Sequence, residues 1–122
     1  MSPHEIRRRH TSGCLTDCVA FVLRQHPFQV PLFVDQRAGW VQRLKRYFLR
    51  HGYRVYWRCC TSVPRRGTHI VCGDSLEYKT FAHAVVYRSG ALVYDPQYPS
   101  RWRDSRITHR LVCMRINDGG TP

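Results

Sequence analysis

The chain has 122 residues, 43% of them hydrophobic and 12% aromatic, enough to bury one core and too few for two. That composition excludes a disordered chain, and its apolar runs fall well short of the roughly 18 residues a membrane-spanning helix needs. Twenty Lys and Arg against eight Asp and Glu give a net charge of +12. Such a surface attracts polyanions, and nucleic acid is the first partner to consider.

Residues 1–10, MSPHEIRRRH, read as a basic approach segment with no apolar stretch behind it, so no secretory signal is expected. Residues 11–26, TSGCLTDCVAFVLRQH, open with turn formers and become an apolar helix that Pro27 ends. FQVPLF is a short connector. A second helix is predicted from about Asp35 to His51, with Trp40, Leu44, Tyr47 and Phe48, flanked by Val41 and Leu49, as its buried stripe, and Gly52 as its stop.

Beyond Gly52 the hydrophobic period changes to two. YRVYWRC (53–59), THIVCG (68–73), HAVVYR (83–88), ALVYD (91–95) and RLVCMRI (110–116) read as strands, the third and fourth joined in a hairpin by Ser89-Gly90. Residues 117–122 read as a flexible tail. The expected architecture is a single α+β domain over 1–122, two N-terminal helices packed on about five mostly antiparallel strands.

Six cysteines, Cys14, Cys18, Cys59, Cys60, Cys72 and Cys113, permit disulfides by number. Without an export signal the expectation is reduced thiols in a cytoplasm, most of them behaving as small core hydrophobes. Cys14 differs because it stands at a helix start, preceded by Gly13. Free N–H groups and the positive end of the helix dipole favour a thiolate there, and the glycine lets a substrate carbonyl approach. A thiol nucleophile also needs a base and a group that orients it. If Ser89-Gly90 is the hairpin turn, His83 at one strand start and Asp95 at the next strand end meet at one sheet edge. A buried helix-start cysteine, a capping histidine and an Asp-Pro turn residue are the structural alternatives.

Cys59, Cys60, His69 and Cys72 raise the question of zinc. His69 and Cys72 have a ligand-like spacing, but adjacent strand residues such as Cys59 and Cys60 point to opposite faces, so no metal site is assigned. No cofactor motif is read. Arg7, Arg8 and Arg9 form the densest basic run and Arg101, Arg103, Arg106 and Arg110 another. No RNA-recognition, zinc-finger or helix-turn-helix signature organises them.

GCLTDCVAFVLR resembles the nucleophile helix of the bacteriocin-processing, double-glycine peptidases, a papain-like family in which a Cys-Gly-x-x-Cys stretch leads into Leu-Ala-Met-Val-Leu. HAVVYRSGALVYDP is similar to the hairpin that carries that family's catalytic His and Asp. The run of VPLF, GWVQRL, HGYRV, His-Ala-Val-Val, Asp-Pro and SRW over residues 12–103 also resembles small phage-borne papain-like proteins. The resemblance implies a papain-like cysteine peptidase or amide hydrolase with Cys14, His83 and Asp95 as its triad, working through an acyl-enzyme on a peptide or protein substrate. It also implies a phage-encoded protein acting in the host cytoplasm.

Leu15 stands where the peptidases have Gly, and Arg8 where papain-like enzymes have an oxyanion Gln. Arg8 or His10 is the expected second oxyanion donor beside the Cys14 N–H. Acyl transfer to an amine fits the same layout. The alternative is a catalytically weak papain-like scaffold that binds a host protein or nucleic acid through its basic surface.

Overall fold

The computed structural model describes residues 13–31, 39–74, 82–97 and 102–116. It is α+β, with two helices and one five-stranded antiparallel sheet. The approach segment, the tail and the two predicted oxyanion residues, Arg8 and His10, lie outside the described residues.

Helix α1 spans Gly13–Leu23 and buries Leu15, Thr16, Cys18, Val19, Ala20 and Val22. It stops three residues before its predicted end. Arg24 takes a left-handed conformation at φ 56°, its N–H bonds to Phe21 O at 3.3 Å, and the Gln25 N–H reaches Ala20 O at 2.9 Å. This paired closure satisfies the last free carbonyls, and the chain has already turned when it meets Pro27. Pro27–Gln29 then forms a short 3₁₀ turn, capped by the His26 Nδ1 accepting from the Phe28 N–H at 3.2 Å.

Helix α2 spans Trp40–Arg50; the earlier part of the predicted helix, residues 35–38, lies outside the described residues. Leu44 and Phe48 are its fully buried side chains, with Trp40 and Tyr47 partly buried against the same core. Leu49, expected in the stripe, is 52% exposed. One step past Phe48 turns a side chain about 100° round the helix, away from the sheet. Gly52, at φ 83°, ends the helix as predicted. The Tyr47 hydroxyl donates to Gln25 Oε1 at 2.7 Å and ties α2 to the end of α1.

The strands are β1 (Tyr53–Cys59), β2 (Thr68–Asp74), β3 (Ala82–Arg88), β4 (Ala91–Tyr94) and β5 (Ile107–Arg115), in spatial order β1-β5-β2-β3-β4. The last strand enters the sheet between the first and second. It begins at Ile107, three residues earlier than predicted, because Ile107 pairs with Gly73 and is buried there, although Thr108 and His109 interrupt the apolar alternation.

Strand alternation divides the side chains between two faces. Val55, Ile70, Cys72, Ala84, Val86, Leu111 and Cys113 pack with the helices in the main core. Val71, Val85, Tyr87 and Ile107 form a smaller cluster on the other face, under Val63 and Trp102.

Candidate active site

The β3–β4 hairpin turns through Ser89 and Gly90, at φ 53° and 86°. Two left-handed residues make the tight turn whose twist matches that of the strands. Arg88 pairs with Ala91 and Tyr87 with Leu92, but Val86 pairs with Tyr94, so Val93 is an extra, bulged residue. This one-residue shift decides which face Asp95 reaches. Without it, Asp95 would continue opposite Ala84, on the helix side. With it, Tyr94 turns to the helices, where it stacks on Phe21 at 4.5 Å, and Asp95 joins the face of His83 and Val85.

His83 and Asp95 meet there. His83 Nε2 lies 2.7 Å from Asp95 Oδ1, and the two side chains are 5% and 7% exposed. The same carboxylate oxygen accepts the Gln97 N–H at 2.9 Å, which holds it in place. An ionised carboxylate at that distance requires the ring proton on Nε2, leaving Nδ1 as the basic nitrogen.

Trp102 packs against the His83 ring at 5.5 Å between centroids, with the planes at 62°. Its indole N–H donates to the Tyr87 hydroxyl at 3.0 Å, and that hydroxyl donates to Asp104. Burial and the Asp104 hydrogen bond push the Tyr87 phenol up to about 12, so it remains a donor. The indole approaches closely because position 73 is glycine. A Cβ there would sit 2.3 Å from the Arg106 carbonyl oxygen and 2.9 Å from the Trp102 ring.

Cys14 is the second residue of α1 and is half-buried. Its sulfur sits against the backbone of Ala84, the residue after His83. Burial pushes its thiol above the ordinary value. The backbone N–H of Ala84, and to a lesser extent its own, oppose that rise, while the negative charges of Asp17 and Asp95 add to it. The resting group is therefore a neutral thiol, whereas the helix-start argument alone predicts a thiolate. Among the described residues no hydrogen bond joins the sulfur to the His83 ring.

All six cysteines are free thiols. Cys18, Cys72 and Cys113 are buried in the core; burial raises all three thiols, the last two to about 12. Cys59 is exposed, and Cys60 lies 3.0 Å from the Ser62 hydroxyl, which pulls its thiol below the ordinary value. Among the described residues no three His, Cys, Asp or Glu side chains cluster as a metal site. No described helix is long and apolar enough to cross a membrane.

Sequence reasoning passed over Asp17 and Trp102. Asp17 had a legible signal, since it lies three residues beyond Cys14 on a helix and so shares its side. Trp102 had none, because its contact with His83 depends on the glycine across the sheet. Comparison with family models, with curated proteins and with solved structures gives no match to the chain.

Proposed function

We propose that the chain is a papain-like cysteine hydrolase that cleaves an amide bond through Cys14, His83 and Asp95. The observation that carries this reading is the buried 2.7 Å pair of His83 and Asp95, beside a helix that begins at a half-buried cysteine.

In the proposed reaction His83 Nδ1 takes the Cys14 proton as the sulfur attacks the substrate carbonyl. The C–N bond breaks, the imidazolium gives its proton to the departing amine, and a thioester remains. Water then attacks that thioester with His83 again as base, releasing the acid and restoring the thiol. Asp95 keeps the ring in the tautomer with Nδ1 free. Because the thiol is neutral at rest, proton transfer accompanies attack rather than preceding it. Substrate binding has to close the sulfur onto Nδ1, as catalytic hydrogen bonds often do only in the complex.

The test uses a thiol-directed acylating probe on a Cys60→Ser background, since Cys60 is the competing nucleophile. Cys14→Ala is expected to abolish labelling, and His83→Ala to slow it by about 10²- to 10⁴-fold, the usual contribution of a general base. Labelling that survives Cys14→Ala, or that ignores His83→Ala, overturns the assignment.

The raised thiol of Cys14 favours one second reading, a papain-like scaffold that binds a host protein or nucleic acid and no longer turns over. It predicts a labelling rate that follows an ordinary buried thiol's ionisation and does not depend on Asp95. Asp95→Asn therefore separates the two, slowing labelling only in the hydrolase.

A further inference from the structure

On the face away from the helices lies a depression of about 840 Å³, lined by Ser62, Arg65, Arg66, His69, Gly90 and Arg110 among others. His69 is 7% exposed, and its Nε2–H donates to the Arg66 carbonyl at 2.6 Å. That bond leaves the lone pair on Nδ1, which is buried and has no partner. Burial and the Arg110 charge hold the ring below the ordinary imidazole value, so Nδ1 is an acceptor at neutral pH. Arg110 stands opposite Val71 on β2, and its Nη1 donates to Ser62 O at 3.4 Å. Its Nε is likewise buried and unpartnered.

Two buried polar atoms of opposite character, rimmed by exposed Arg65 and Arg66, define what fits. The ligand must bring anionic oxygens for the guanidinium groups and a hydroxyl donor for Nδ1. A ribose phosphate unit carries both, and the 2′-hydroxyl is the group that distinguishes RNA from DNA at a contact.

The surroundings favour a strand over a free nucleotide. Arg58 of β1 pairs with Arg110, and Arg54 shares its face four residues along, roughly 13 Å away at the rise of a strand. Both are exposed, and no described helix packs over them.

We propose that this depression seats a ribose phosphate unit of single-stranded RNA, with Arg110, Arg65 and Arg66 on the phosphate and His69 Nδ1 accepting from the 2′-hydroxyl. The site does not use Cys14, and its test reads binding rather than thiol reactivity, so it stands or falls apart from the hydrolase reading.

Fluorescence anisotropy with a short oligouridylate and its deoxy counterpart, at about 50 and 200 mM salt, tests it. The expected result is tighter binding of the ribo-oligomer, weakening with salt. Arg65→Gln with Arg66→Gln, both on the exposed rim, should weaken both strands about tenfold. His69→Leu should remove the preference for ribose. Equal affinity of the unaltered protein for the two oligomers overturns the proposal. So does a double arginine variant that binds as the parent does; neither outcome needs the His69 variant to fold.

Discussion

Asp17 lies one helical turn beyond Cys14, and its charge opposes loss of the thiol proton. Removing that charge favours the thiolate, so Asp17→Asn is expected to lower the Cys14 pKa and speed probe labelling near neutral pH. The check is the pH–rate profile on the Cys60→Ser background, whose midpoint should move to lower pH. An unmoved midpoint would mean that solvent screens Asp17 from the sulfur. The identities of Cys14, His83 and Asp95 were legible as candidates because each residue type suits one role and each sits at an element boundary. The state of the thiol was not legible, since it depends on burial and on two carboxylates, one of them 81 residues from Cys14 in sequence.

At the scale of the element, the site depends on a bulge and a glycine. The Ser-Gly pair announced the hairpin, but nothing local marks Val93 as the extra residue, because ALVYD reads equally well as a regular strand. Gly73 is similar: within β2 it looks like a strand ending, and its role appears only where the Arg106 backbone crosses it. Gly73→Ala forces that backbone or the Trp102 ring to move, at a cost of about 1–3 kcal/mol. A lowered urea midpoint with an unchanged slope is the expected outcome. A variant as stable as the parent would show that the crossing loop yields freely. The early stop of α1 has the same character, because the Arg24 closure competes with continuation of a helix whose pattern runs on to Gln25.

For the whole molecule, the three buried thiols set an alkaline limit. Cys72 and Cys113 ionise near 12 in the folded chain against an ordinary value of 9.0, and Cys18 is raised as well. Between those values the unfolded chain has lost protons that the folded chain keeps. Stability is therefore intact below about pH 9 and falls as pH rises toward 12, by up to about 1.4 kcal/mol per pH unit for each such thiol. Thermal melts under reducing conditions should show Tm declining above pH 9, with a shallower decline for Cys113→Val. An equal decline in that variant would assign the alkaline limit to other groups.

The order of elements, the antiparallel character and the helix-facing positions were determined by sequence alone, because hydrophobic period and turn chemistry act over a few residues and leave a local trace. Strand order, with β5 between β1 and β2, was decided only in three dimensions, as were the face on which Asp95 emerges and the closure of Trp102 over His83. Each of these joins residues distant along the chain, where the sterics of one backbone crossing another choose the outcome and no short window records the choice.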